Sequence, residues 1–341
     1  MNAGGYFLIG GAVVAAAALT GAAVASVKIT RKLFGETFGR KEADPQNQND
    51  FLEGLCKKGY EKQVEVVKRG WAALAAAPYE RVEITAFDGI KLRAKLYEPA
   101  GDKFATVVLV HGYSSHGDMD FGCVFEHYEK LGIGMLIISQ RAHNDSEGQY
   151  LAFGATERYD VRDWCRYLVE RYGEDHKIIL DGVSMGCSTI LLASALPDIP
   201  PQVKAVIADC GFSSAKAQIA EVLRERMHLP AFPIVPIGSL LCRMYTGAFL
   251  GEAEVARELK KSKIPTLFAH GLGDDFVKPY HSERNYEACG AEYKRLAMFE
   301  GSPHGLSYLD HTEEYQRLIC ELLEHAGVLP GGKGVKFPRV G

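Results

Sequence analysis

Lys177-Ile178-Ile179-Leu180-Asp181-Gly182-Val183-Ser184-Met185-Gly186 runs from an apolar strand, through a tight corner, into an apolar helix read over Ser184 to Leu196. A serine at such a strand-to-helix corner projects its hydroxyl above the sheet. Glycines two residues to either side let neighbouring backbone pack without Cβ clashes, and the helix N-terminus offers N–H groups to an oxyanion. Ser184 is therefore read as a nucleophile. Gly-x-Ser-x-Gly alone recurs by chance; the buried strand before it and the helix after it give it meaning.

Short, uniformly apolar runs extend outward from this corner in both directions. They read as strands over Thr106 to Val110, Gly134 to Ser139, Lys177 to Leu180, Val203 to Ala208, Pro265 to Ala269 and Arg295 to Phe299. Strands apolar on both faces belong in a parallel sheet covered on both sides. Helical stretches such as Thr156 to Tyr172 alternate with them, as right-handed βαβ units require. Ahead of them, Val82 to Ala86 and Ile90 to Tyr97 flank Asp88-Gly89, a tight-hairpin signal. Phe51 to Ala77 reads as a helix ended by Pro78, and Glu42 to Asn49 as a linker. Between Asp209 and Pro265 the rhythm breaks, and Leu229 to Leu250, apolar and proline-punctuated, reads as a cap over the carboxyl edge of the sheet. A second membrane span there is disfavoured by Pro230, Pro233, Pro236 and Arg243.

Two more loops belong at that edge. His270-Gly271-Leu272-Gly273-Asp274-Asp275 ends the penultimate strand, and Gly301-Ser302-Pro303-His304-Gly305 follows the last. His304 is the expected base and Asp274 the expected orienting acid. Asp275 and Asp209 are the rival acids, with a turn or cap role the plainer reading of Asp209. His111-Gly112 closes the strand at Val110, so the expected oxyanion hole is the backbone N–H of Tyr113 with that of Met185. His111 reads as a structural loop histidine and His143 as an exposed one. No His, Cys and carboxylate set has metal-ligand spacing and no glycine loop has a phosphate-binding pattern, so no cofactor and no metal are expected.

With these residues in place the chain resembles the α/β-hydrolase superfamily, and within it the bacterial serine aminopeptidase-like and acyl-esterase-like branch. The resemblance spans roughly Val82 to Leu323. It rests on His111-Gly112, the loop Gln140 to Gly148, the Ser184 corner, Ala208-Asp209-Cys210-Gly211, His270 to Asp274 and His304-Gly305. It implies a mostly parallel sheet with helices on both faces, an N-terminal antiparallel hairpin and a helical cap insertion. It also implies the chain order Ser, Asp, His and, four residues after the histidine of the penultimate strand, Asp274 as acid. The loop at Arg141 departs from the common Arg-Gly-His-Gly form. The expected activity is hydrolysis of a carboxylic ester or thioester, with a peptidase or a non-catalytic binding protein as alternatives.

The bulk composition sets outer limits. The chain has 341 residues, 47% hydrophobic and 24% charged, with formal net charge −4. That is ordinary globular composition without the clustered basic residues of a nucleic-acid surface. The expected partner is a small acyl substrate, with no nucleic acid; the oligomeric state is unspecified. Eight scattered cysteines read as reduced thiols.

Tyr6 to Val27 carries no charge, long enough as a helix to span a bilayer. With Lys28, Arg31 and Lys32 after it and none before, the expectation is an uncleaved single-pass anchor with the catalytic domain on the cytoplasmic side, bound to the membrane through this N-terminal helix. A signal peptide cleaved after Ala25 and a soluble helix are the alternatives. The expected organisation is an anchor over 1–27, linker and helix over 28–80, the hydrolase domain over 81–326 with its cap at about 212–262, and a tail over 327–341.

Overall fold

The computed structural model describes residues 24–42, 45–57, 59–99 and 101–329. Eight strands form one sheet: β1 (Glu80–Thr85), β2 (Lys91–Tyr97), β3 (Ala105–Val110), β4 (Gly134–Ile138), β5 (Lys177–Val183), β6 (Val203–Asp209), β7 (Thr266–Gly271) and β8 (Lys294–Phe299). Their spatial order is β1-β2-β4-β3-β5-β6-β7-β8. Only β2 runs against the rest, pairing antiparallel with β1 and with β4; β3 to β8 pair in parallel. The hairpin at Asp88-Gly89 closes as its sequence suggests, with Gly89 at φ +88° and the Ala86 N–H donating to the Ile90 carbonyl at 2.9 Å.

Alternation along the central strands builds two core layers. Val108 and Val110 of β3 and Leu180 of β5 face one layer, while Val107, Leu109 and Ile179 face the other. Helices α5 (Glu157–Tyr172) and α6 (Met185–Ser194) cover the first layer through Trp164, Leu168, Ile190 and Leu191. Helices α4 (Gly117–Lys130) and α12 (Thr312–His325) cover the second through Phe121, Phe125, Leu318 and Leu322. The cap between β6 and β7 is chiefly α7 (Ala215–Glu225) and α8 (Ala231–Thr246). In chain order, α9 (Val255–Glu258), α10 (Tyr280–Ala288) and α11 (Ser307–Asp310) complete the helical set after it.

The N-terminal third differs most from its sequence reading. Where one helix over Phe51 to Ala77 is expected, there are two, α2 (Pro45–Lys57) and α3 (Glu61–Ala76). The chain breaks at Gly59, which takes φ +81°, a left-handed conformation that ends a helix. Proline at the first position of α2 is compatible with starting a helix, so the polar Glu42 to Asn49 stretch is partly helical. α3 crosses α4 closely: a Cβ on Gly70 would lie 2.4 Å from the Gly122 carbonyl oxygen.

The single-pass membrane placement is corrected here. Among the described residues no helix is long and apolar enough to cross a membrane, and the cytoplasmic orientation inferred from that span falls with it. Residues 1–23, most of the stretch Tyr6 to Val27, lie outside the described residues. Its described end runs into a helix over residues 24–38, α1, which carries Lys28, Arg31, Lys32 and Glu36 on exposed positions. That helix turns Thr30, Phe34 and Phe38 onto the body that holds the sheet, burying each to 4% exposure or less. It is amphipathic, with its apolar face spent on protein.

Candidate active site

The carboxyl ends of five parallel strands meet at one place: β3 at His111, β5 at Ser184, β6 at Cys210, β7 just before Asp274 and β8 before His304. Convergence there is a general property of open parallel sheets.

Ser184 occupies the corner between β5 and α6 at φ 55°, a conformation costly for a residue with a Cβ. The glycines around it explain how the corner closes. A Cβ on Gly186 would lie 1.9 Å from the Val110 carbonyl oxygen, and one on Gly182 would lie 2.7 Å from the Gly186 backbone. The Ser184 N–H is anchored on the Asp209 carbonyl at 2.9 Å.

His304 stands between Ser184 and Asp274. Its Nε2 is 3.0 Å from the Ser184 Oγ and its Nδ1 2.6 Å from Asp274 Oδ2. The carboxylate can only accept, so the proton belongs on Nδ1 and the Nε2 lone pair faces the hydroxyl. Asp274 is buried and fully engaged. Its Oδ1 accepts the N–H groups of Phe276 and Val277, each at 2.9 Å, and its Oδ2 also meets His270 Nε2 at 3.1 Å. Burial alone would push this carboxyl up; the hydrogen bonds and charge of His270 and His304 outweigh it and hold Asp274 below the ordinary carboxylate range.

The rival acids lie elsewhere. The Asp275 side chain is 78% exposed and pairs with Arg226 at 3.0 Å. Asp209 is buried beneath the corner, where Tyr315 donates to it at 3.0 Å. Burial pushes its carboxyl up to about 6. It makes no hydrogen bond to His304, whose Nδ1 is taken by Asp274.

Tyr113 and Met185 are the residues whose backbone N–H groups the sequence reading assigns to an oxyanion hole. Met185 opens α6, so its N–H belongs to the helix turn that lacks intrahelical partners. Tyr113 follows Gly112, where a Cβ would come within 3.5 Å of the Ser184 Cβ. A lock invisible in the sequence fixes this loop. Asp120, from α4, accepts the Gly112 N–H at 2.7 Å and the Ser115 hydroxyl at 2.6 Å.

His111 is structural, as read: buried, with Nδ1 2.8 Å from the Gly112 carbonyl and Nε2 accepting the Gln140 N–H at 3.2 Å. His143 is not the exposed loop residue expected of it. It is fully buried, packed edge-on against His111 at 5.0 Å. The loop folds inward because Arg141 is drawn down to the buried Asp160, with two contacts of 2.6 Å. Sequence reading also missed His270 as more than a strand marker. It joins Asp274 to Ser282, whose hydroxyl is 2.7 Å from its Nδ1. The His-Gly pair at the strand end was the available signal.

Among the described residues, the group with metal-ligand spacing is Cys210, Asp274 and His304, whose ligand atoms lie within 4.8 Å of one another. Asp274 and His304 already bond each other, and burial pushes the Cys210 thiol well above its usual range, away from the thiolate a metal needs. None of the eight cysteines is in a disulfide; six are buried.

Two cavities meet at Ser184, Tyr113 and Phe276. One, of about 280 Å³, lies beneath the cap; its lining includes Met185, Phe153, Phe212, Val222 and Ile234 and holds no charged side chain. The other, of about 360 Å³, opens on the His304 side between Phe51, Val67, Asp120 and Leu306.

A family model described as the alpha/beta hydrolase fold matches residues 105–233. The chain is 29% identical over 195 residues to the Bacillus subtilis protein YqkD, covering 57% of this chain and 63% of that one, just under two thirds of that relative's length. It is 28% identical over 163 residues to the thiohydrolase aneE of Aspergillus aculeatus, 45% of this chain and 50% of that one. The solved structure of the Pyrococcus furiosus esterase Pf2001 superposes with a TM-score of 0.59 at 24% identity, over 73% of this chain and 93% of that one. With the strand order and the corner at Ser184, these matches give the chain the α/β-hydrolase fold.

Proposed function

We propose that the protein hydrolyses a carboxylic ester or thioester with an apolar acyl group, through an acyl-enzyme on Ser184. The observation that carries this reading is the unbroken line from Ser184 Oγ to His304 at 3.0 Å and on to Asp274 at 2.6 Å, beside an uncharged cavity. His304 Nε2 takes the hydroxyl proton as Oγ attacks the substrate carbonyl carbon. The oxyanion is received by the N–H groups of Tyr113 and Met185. His304 returns the proton to the departing alkoxide or thiolate. It then deprotonates a water, which attacks the acyl carbonyl carbon, and it returns that proton to Ser184 Oγ as the bond from Oγ to the acyl carbon breaks and the carboxylic acid leaves.

The apolar cavity suits the acyl chain and the second cavity the leaving group. An aminopeptidase would need an acidic side chain on the acyl side to hold the substrate's ammonium group, and the lining of that cavity has none. The named thiohydrolase and esterase relatives agree with acyl transfer to water. A panel of p-nitrophenyl esters, acyl thioesters and aminoacyl anilides tests the reading. Esters or thioesters are expected to turn over and anilides to fail, with activity lost in Ser184→Ala. Turnover of anilides alone would make the protein a peptidase.

A further inference from the structure

Resting on the esterase reading, we infer that α1, a helix upstream of the hydrolase core, is the wall that sets the length of acyl chain the enzyme accepts. Thr30, Leu33, Phe34 and Thr37 follow the spacing of one helix face, and all four line the 280 Å³ cavity that ends at Ser184. The opposite walls come from the cap, through Val222 of α7 and Ile234 of α8. The volume is on the order of nine units of about 30 Å³, the share of a water molecule and near that of a methylene. It therefore suits a medium-length chain running from Ser184 toward α1.

The wall is fixed relative to the reacting atoms. The Phe38 ring stacks on Phe34 at 4.4 Å and meets Phe153 edge-on at 5.0 Å. Beyond the helix, Arg40 donates to the carbonyls of Ser146 at 2.6 Å and Gly148 at 3.3 Å, and the Leu151 N–H reaches back to the Phe38 carbonyl at 2.9 Å. The hydroxyl of Tyr113, which lines the cavity with Ser184, donates to the Thr37 carbonyl at 3.0 Å. α1 thus touches the oxyanion loop and closes the cavity at once. Residues 24–38 lie outside the segment matched by the family model.

The test uses the full chain and p-nitrophenyl esters from acetate to dodecanoate. Each excluded methylene contact is worth about fourfold in kcat/KM. Leu33→Trp, which fills the cavity from a half-buried position, is expected to lower the octanoate-to-acetate ratio of kcat/KM at least tenfold. Leu33→Ala is expected to raise the dodecanoate-to-octanoate ratio. Lys32→Trp, on the exposed face of α1, should leave both ratios within twofold. Octanoate titrated calorimetrically into Ser184→Ala, with and without Leu33→Trp, reads the wall without turnover, and weaker binding by at least fivefold is expected in the double variant. Ratios and octanoate binding that are unmoved by Leu33→Trp overturn the inference, as does a failure of octanoate to bind at all. A chain that hydrolyses no ester, yet loses octanoate binding through Leu33→Trp, keeps the wall and sinks the esterase reading.

Discussion

Asp274 holds four hydrogen-bond contacts at once, two backbone N–H groups on Oδ1 and two imidazoles on Oδ2. The backbone pair fixes the carboxylate; the imidazole pair is where its charge is used. Asp274→Asn would keep most of the packing while offering an amide N–H to a ring nitrogen that must itself donate. It is expected to lower kcat by about 10⁴-fold through the wrong His304 tautomer. Asp275→Asn removes an exposed surface pair and is expected to leave kcat near that of the parent. Asp209→Asn changes a buried group bonded to Tyr315 and should act mainly on stability. Steady-state kinetics on the three variants check this ordering, and a larger loss in kcat at Asp209 or Asp275 than at Asp274 contradicts it. At this scale Ser184, Asp274 and His304 were legible because each follows a strand the sequence marks plainly. Asp120 and His270 were not. Asp120 reaches Gly112 only because α4 docks under the loop, and His270 reaches Ser282 only because α10 packs on β7. Contacts between elements leave no periodic trace in the chain.

The corner between β5 and α6 depends on two residues having no side chain, Gly182 and, more tightly, Gly186. Gly186→Ala would drive a Cβ to 1.9 Å from the Val110 carbonyl oxygen, and backbone on a central strand cannot retreat. The expected cost is about 3 kcal/mol or more, the upper end of overpacking penalties. Little folded protein should accumulate, as read by soluble yield and circular dichroism. A well-folded, active Gly186→Ala protein would contradict the packing described here. Most parallel strands were read to within one or two residues of their ends, since burial on both faces writes a continuous apolar run, though β5 runs on from Leu180 to Val183 and β8 is mostly half-buried. The N-terminal helices were read less well. Gly59 was absorbed into one long apolar pattern because α2 and α3 both face inward, and a helical period survives a two- or three-residue break. The uncharged stretch ending at Val27 suggested a span, whereas the described helix that follows buries its apolar face against Phe153, Tyr150 and α8.

Across the whole molecule, two carboxyl groups, those of Asp181 and Asp209, are buried within the sheet. Asp181, in the middle of β5, accepts the Tyr128 hydroxyl at 2.6 Å. Burial pushes its carboxyl up to about 7. A carboxyl that holds its proton more tightly when folded stabilises the fold fully below its unfolded value near 3.9 and loses that contribution as pH rises toward 7. Asp181→Asn cannot ionise. The melting temperature of the variant relative to the parent should therefore shift in the variant's favour between pH 5 and pH 7.5; a pH-independent difference would mean that Asp181 is not held protonated. If the uncharged cavity, the cap and α1 select apolar acyl groups as proposed, kcat/KM should rise from p-nitrophenyl acetate toward octanoate, at up to about fourfold per buried methylene. A profile that falls throughout would assign these side chains to packing alone. All of this presumes that Ser184 is the attacking group, and one measurement addresses that directly. The protein is treated with an active-site-directed alkyl fluorophosphonate and the labelled peptide sequenced by mass spectrometry. One adduct per chain, on Ser184 and absent from Ser184→Ala, is the result expected; an unlabelled Ser184 in a preparation that still hydrolyses esters would contradict the account.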